Sequence, residues 1–290
     1  MADATGAVHE RERRFRAQDG LSLYFREFGD PLAPGTPVVC LPGLTRNSKD
    51  FLTLARRLAP ERRVVCLDYR GRGRSEYDPT GRSYAARTII GDVLQLLAAA
   101  NLHRVVICGV SFGGLLAMGL AVAAPTVLAG VILDDIGPDL MPSGRERIMD
   151  YISRDVAQPD WDTAVAAVKA TFPALSFSTD EDWRRFTEAT YTEGADGRLH
   201  FDYDLGLVTA LKRDTPPDDL WPHFRALRRV PVLVVRGGAS DLLSETTLAR
   251  MATENPELVH VTLPGVGHAP SLSEPDSERA IDDFLRRIDT

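Results

Sequence analysis

Val105-Val106-Ile107-Cys108-Gly109-Val110-Ser111-Phe112-Gly113-Gly114 is the stretch whose reading decides this fold. Val105–Cys108 is a short β-branched run and reads as a buried strand. Gly113, Leu115, Leu116, Ala117, Met118 and Leu120 read as a helix that starts almost at once. Between them Gly109-Val110-Ser111-Phe112-Gly113 matches G-x-S-x-G. So tight a strand-to-helix turn strains its central residue and lifts that side chain out of the sheet. Small residues two before and two after are needed because strand and helix pass very close. The helix N-terminus then aims free N–H groups at whatever reacts with Ser111 and favours negative charge there.

Outward from this turn, strands alternate with helices. Phe15–Arg16 and Leu21–Phe28 alternate apolar and polar around Asp19-Gly20, a hairpin pattern, behind a loose arm over residues 1–14. Val38–Leu41, Val64–Leu67 and Val131–Asp135 read as central strands. A helix is expected from Lys49 to Leu58 and another from Tyr84 to Asn101. Val230–Val235 and Leu258–Leu263 are later strands, with helices at Thr246–Thr253 and Ser277–Ile288. Such alternation implies right-handed crossovers and a mostly parallel, twisted sheet flanked by helices, an α/β class. Residues 138–220 differ. They are helix-rich and polar, have no run resembling a sheet core, and contain Trp161, Phe172, Phe177, Trp183 and Phe186. The expected organisation is a core over 1–136, an inserted helical cap over 137–220 closed by Pro216-Pro217, and the rest of the core over 221–290. Some cap aromatics should face a pocket, with Trp161 and Trp183 as candidates.

The 290 residues are 44% hydrophobic and 26% charged, which suits a soluble protein with one large core. A net charge of −7 argues against a nucleic-acid partner. Met1–Arg16 is charged and has no apolar h-region, so no secretory signal is expected. Leu115–Leu133 is uncharged and long enough to span a membrane, but Pro125 and Gly130 interrupt it, and it reads as the turn's helix followed by a buried strand. Cys40, Cys66 and Cys108 are an odd number without C-x-x-C spacing. They read as buried core thiols, without disulfide or metal, in a cytoplasmic setting. Asp68-Tyr69-Arg70-Gly71-Arg72-Gly73-Arg74-Ser75 is glycine-rich and basic but lacks either phosphate-loop spacing.

A serine hydroxyl is a weak nucleophile until a base takes its proton, and that base needs an orienting group. In open α/β sheets the site lies beyond the carboxyl ends of the strands. His268 follows the last strand in a Gly/Pro-rich loop, whereas His9, His103, His200, His223 and His260 lie elsewhere. Three carboxylates compete for the orienting role: Asp241 after the penultimate strand, Asp135 at the end of the strand after the turn, and Asp134 beside it. Backbone N–H groups for a developing oxyanion are expected from Phe112 and from Leu44 in the Pro42-Gly43-Leu44 turn. Arg46, next to that turn, reads either as a surface charge at a helix start or as a ligand for a substrate carboxylate.

Leu41-Pro42-Gly43, Asp68–Ser75, Gly109–Gly114, Ser240-Asp241 and Gly267-His268-Ala269-Pro270 together resemble the α/β-hydrolase superfamily over about residues 15–136 and 221–290. The resemblance implies the α/β-hydrolase fold, a Ser–His–Asp site beneath a mobile cap, and no cofactor. Its chain order of nucleophile, acid and base selects Ser111, Asp241 and His268. Many members carry His-Gly where this chain has Pro42-Gly43, so a side-chain role for that His is lost while the backbone donor survives. Members with an Asp nucleophile, such as dehalogenases and epoxide hydrolases, are set apart by Ser111. The expectation is a hydrolase of small-molecule carboxylic esters or lactones. Alternatives are a carbon–carbon bond hydrolase of vinylogous diketones, a ligand-sensing receptor with residual turnover, and a cofactor-free haloperoxidase side reaction. Acyl preference and homo-oligomeric state are not encoded in any motif.

Overall fold

In a computed structural model, residues 9–213 and 219–290 are described. An eight-stranded sheet carries the fold. Its strands are β1 (Glu10–Arg16), β2 (Ser22–Phe28), β3 (Gly35–Leu41), β4 (Arg62–Leu67), β5 (Val105–Val110), β6 (Leu128–Asp134), β9 (Val232–Gly237) and β10 (Val259–Leu263), in the spatial order β1-β2-β4-β3-β5-β6-β9-β10. β1 pairs antiparallel with β2, and β2 antiparallel with β4. Every pairing from β4 to β10 is parallel. The hairpin forms as its pattern implies, with Arg16 opposite Ser22 and Gly20 at φ +91° in the turn. The loose arm expected over 1–14 is corrected in part: Glu10–Arg16 is an edge strand, and residues 1–8 lie outside the described residues.

The central strands are apolar on both faces because helices cover both. Val39, Leu41, Val105 and Ile107 pack on one face with helices α2 (Ala86–Ala99) and α3 (Phe112–Ala123). Val38, Cys40, Val106 and Cys108 alternate to the other face, against α1 (Leu52–Leu58) and α10 (Pro275–Asp289). Each fully buried Val, Ile or Leu there contributes about 1.5–3 kcal/mol. Cys66, Cys40 and Cys108 stand in register on adjacent strands as free thiols, and burial pushes the Cys40 thiol well up. Leu115–Leu133 resolves into the rest of α3 and β6, and among the described residues no helix is long and apolar enough to cross a membrane.

Between β6 and β9 lie α4 (Pro142–Ile152), α5 (Trp161–Thr171), α6 (Asp180–Thr190), a short antiparallel ribbon of β7 (Tyr191–Glu193) and β8 (Leu199–Phe201), α7 (Gly206–Arg213) and α8 (Trp221–Arg225). The ribbon is absent from the sequence reading, since three residues are too few to show a period of two. Tyr191, Phe201 and Tyr203 stack through it at centroid spacings of 5.1 Å. These elements enclose a separate apolar cluster that includes Tyr84 from the core. Pro216-Pro217, expected to close the insertion, lie outside the described residues. The last helix of the core before β10, α9 (Glu245–Glu254), is capped by the Ser244 side chain.

Candidate active site

Ser111 stands between β5 and α3 with φ +50° and ψ −113°, a backbone state that a side chain rarely adopts. The crowding that imposes it is measurable. A Cβ on Gly113 would lie 2.0 Å from the Leu41 carbonyl oxygen, and one on Gly109 would lie 2.5 Å from Gly113. The turn can therefore be built only with glycine at both positions. The Ser111 N–H donates to the Asp134 carbonyl at 3.0 Å, which ties the turn to β6. Ser111 itself is only partly buried.

His268 reaches this serine from the loop after β10. Its Nε2 is 2.9 Å from Ser111 Oγ and its Nδ1 is 2.7 Å from Asp135 Oδ2. With the ring proton on Nδ1, His268 donates to Asp135 and accepts from the serine hydroxyl. Asp135 is wholly buried, and its other oxygen, Oδ1, accepts the Gly237 N–H at 2.8 Å. Both carboxylate oxygens are thus fixed, one by the imidazole and one by the end of β9. Asp135 sits at φ +51°, which Asp tolerates better than most residues, and its N–H donates to the Val235 carbonyl at 2.7 Å.

The expectation that Asp241 orients His268 is corrected. Asp241 Oδ2 and Oδ1 accept from Arg147 Nε at 2.5 Å and Nη2 at 2.8 Å, in a forked pair with α4. That pairing, opposed by partial burial, holds the Asp241 carboxyl below its ordinary range. α4 sits close to this loop: a Cβ on Gly144 would fall 2.5 Å from the Asp241 carbonyl oxygen. The turn after β9 therefore gives His268's partner a backbone donor, at Gly237, rather than supplying the acid. Asp135 is one of the three competing carboxylates in the sequence. Its signal is a carboxylate at the carboxyl end of β6, the strand hydrogen-bonded to the nucleophile's own strand.

The Pro42-Gly43-Leu44 turn is held through three successive carbonyls. Tyr69 Oη donates to Pro42 O at 3.0 Å, Arg46 N to Gly43 O at 3.1 Å, and Arg72 Nε to Leu44 O at 3.0 Å. Phe112 is the first residue of α3, so its N–H lies in the turn that has no intrahelical acceptor. The Tyr69 and Phe112 rings meet edge to face with centroids 5.9 Å apart, so Tyr69 touches both the start of α3 and, through its hydroxyl, the Pro42 carbonyl.

The other sequence candidates have different places. Arg46 is neither a surface charge nor a free carboxylate ligand. It forks onto Asp50 at 2.7 and 2.5 Å, donates to Thr190 Oγ1, and lies over the Phe186 ring at 3.9 Å. Burial opposes its charge, but Asp50 outweighs burial and raises its pKa. It is a rivet between the core and α6. Trp161 lies under the Arg184 guanidinium at 4.9 Å, and Trp183 packs edge-on against Phe177 at 5.1 Å, so both pack against other residues of the segment between β6 and β9. Among the described residues no group of three or more His, Cys, Asp or Glu could hold a metal ion.

A model of the Alpha/beta hydrolase family matches residues 38–280. The 3-hydroxybutyrate-oligomer hydrolase of Cupriavidus necator is 36% identical over 264 residues, 87% of this chain and 89% of that one. The 2-(acetamidomethylene)succinate hydrolase of Mesorhizobium japonicum is 25% identical over 266 residues, 91% of this chain and 92% of that one. Among solved structures, an alpha/beta hydrolase from Novosphingobium aromaticivorans superposes with a TM-score of 0.90 at 40% identity, covering 97% of this chain and 99% of that one. Sequence, sheet topology and the strained serine turn agree: the chain belongs to the alpha/beta hydrolase family.

Proposed function

We propose that this chain is a serine hydrolase of carboxylic esters or lactones, acting through Ser111, His268 and Asp135. The observation that carries the reading is the continuous hydrogen-bonded line from Asp135 Oδ2 through the His268 ring to Ser111 Oγ, at 2.7 and 2.9 Å. His268 Nε2 takes the hydroxyl proton as Ser111 Oγ attacks the carbonyl carbon. The oxyanion that forms is met by the Phe112 and Leu44 N–H groups. Collapse breaks the acyl–oxygen bond, and the imidazolium returns its proton to the leaving alcohol. Water then attacks the acyl-enzyme, His268 taking its proton and giving it to Ser111 Oγ as the free acid leaves. Asp135 keeps the imidazole in the right tautomer and stabilises its charged form.

The similarity to a 3-hydroxybutyrate-oligomer hydrolase supports linear oligoesters of short hydroxy acids as the first substrates to try. The test is a panel of 3-hydroxybutyrate dimer and trimer, p-nitrophenyl esters, lactones and a vinylogous diketone, with wild type and Ser111→Ala. A fluorophosphonate probe run in parallel should label Ser111. Multiple turnover of an ester or lactone that disappears in Ser111→Ala is expected. Ester turnover that survives this substitution overturns the reading, as does turnover of the diketone alone. Stoichiometric labelling without turnover of any ester would favour a receptor instead.

A further inference from the structure

The Asp68–Ser75 turn holds two buried arginines with opposite surroundings. Arg70 is matched by acids: its Nε and Nη2 meet Asp92 at 2.6 and 2.7 Å, and its Nη1 meets Asp19 at 2.6 Å. Arg72 is just as buried, yet no carboxylate among the described residues lies within ion-pair distance of it. Its Nε donates to Leu44 O at 3.0 Å, its Nη1 donates to Arg70 O at 2.8 Å, and its Nη2 has no partner among the described residues. The Tyr69 and Tyr84 ring centroids are each 5.6 Å from the guanidinium carbon. Burial pulls its pKa down to about 10, so it is still a cation at neutral pH.

A buried charge without a counter-ion is costly, and a well-packed apolar side chain in its place is often neutral or stabilising. Stability alone therefore gives no reason for Arg72. Its one side-chain hydrogen bond outside its own turn goes to the Leu44 carbonyl. With Tyr69 and the Arg46 N–H on the two preceding carbonyls, it completes the pinning of the loop that presents the Leu44 N–H.

We propose that Arg72 is a positioning residue of the oxyanion site: by holding the carbonyl of the Leu44–Thr45 peptide it fixes Leu44 from its C-terminal side, so that the N–H of the preceding Gly43–Leu44 peptide faces the serine's reaction, and it adds a positive charge without a direct ion-pair partner to that side of the site. This rests on the reading of the chain as a Ser111 hydrolase. The side chain never touches substrate. Its effect is concentrated in the step where negative charge develops on oxygen, so it should alter kcat more than KM.

The test compares wild type, Ser111→Ala, Arg72→Met, Arg72→Gln and Arg72→Lys as full chains on a p-nitrophenyl ester. Inhibition by a trifluoromethyl ketone, which forms an oxyanion adduct with serine, is set against the matching methyl ketone, which binds without one. Removing an oxyanion donor outright costs about 10²–10³-fold, so loosening one should lower kcat about 10–100-fold in Arg72→Met, with KM within about threefold. Trifluoromethyl-ketone affinity should fall by the same factor, methyl-ketone affinity should hold, and the melting midpoint should not drop. Arg72→Lys should recover part of the loss by restoring charge. If Arg72→Met does not fold, Arg72→Gln, a neutral donor, and Arg72→Lys carry the same comparison. Wild-type kcat in the folded neutral variants, with turnover still Ser111-dependent, overturns the role of Arg72 alone. A loss of kcat without a matching loss of trifluoromethyl-ketone affinity overturns it too. A wild type without Ser111-dependent turnover overturns the hydrolase reading itself.

Discussion

The carboxyl ends of β6 and β9 each present an aspartate near His268, and they use it in opposite ways. At the end of β6, Asp135 is sealed from solvent, with one oxygen on His268 and the other on the Gly237 N–H. After β9, Asp241 is about one-third exposed and clamped by Arg147 of α4. A buried carboxylate with every acceptor committed can hold an imidazole in a single orientation. A partly exposed one, already forked onto a guanidinium, has little left to offer a histidine. Position along the chain therefore does not decide the acid; burial and prior commitments do.

The largest expected effect is at β6. Asp135→Asn keeps the shape but favours the wrong imidazole tautomer, and kcat should fall about 10³–10⁴-fold with KM little changed. Steady-state kinetics on any ester the wild type turns over would measure it. A loss under tenfold would mean that His268 draws its orientation from elsewhere.

How far the sequence carries follows from the same contrast. Ser111 was legible because G-x-S-x-G between a β-branched run and an apolar helix leaves one way to build the turn, and the clashes at Gly109 and Gly113 bear that out. The sheet was legible because runs such as Val38–Leu41 are apolar on both faces. His268 was placed by the strand it follows. The acid was not legible, because Asp135 and Asp241 both end strands and only the third dimension shows which of them Arg147 removes. The surroundings of Arg46, Trp161 and Trp183 are hidden from the sequence for a related reason. Their partners, Asp50 and Thr190 for Arg46 and Phe177 for Trp183, are set by how the cap folds on the core and on itself.

Arg46–Asp50 is a second forked pair, less exposed than Arg147–Asp241. Breaking a partly buried, hydrogen-bonded pair from one side leaves its carboxylate without its partner, so Arg46→Ala should cost about 1–3 kcal/mol in denaturant unfolding. It should reduce turnover of acidic and neutral esters equally. Selective loss of acidic substrates would restore Arg46 as a carboxylate ligand.

One residue before Asp135, Asp134 marks how severe the β6 end is as an environment. Its two carboxyl oxygens are buried without a hydrogen-bond partner among the described residues. Burial first, then the neighbouring Asp135, push its pKa well up. A group that holds its proton more tightly in the fold than in the unfolded chain costs stability as pH rises from about 4 toward its folded pKa. Asp134→Asn is neutral throughout. Its melting midpoint should match wild type near pH 4 and exceed it at pH 8, by about 2–4 °C for each kcal/mol. Equal midpoints at pH 8 would mean that the carboxylate finds a partner there.

The smallest effect should be at β9, and it is the sharpest check on the contrast. An ion pair as exposed as Arg147–Asp241 is worth about 0.2–1 kcal/mol, so Asp241→Asn should change kcat by less than about fivefold. The Asp241 carboxyl is held below its ordinary range, mainly by its bond to Arg147. Whatever it contributes is therefore fully present above its ordinary pKa and is lost only as pH falls through the lower folded value. The neutral and alkaline limbs of the pH–rate profile should be unmoved by Asp241→Asn, and Arg147→Ala should behave alike, since either change opens the same clamp. The double variant Asp135→Asn/Asp241→Asn decides between independence and reserve. If Asp241 stands apart from the proton path, the double variant is only slightly slower than Asp135→Asn. If it acts as a reserve acid once Asp135 is gone, removing it costs far more in that background than in wild type, and the division of labour between the two strand ends fails.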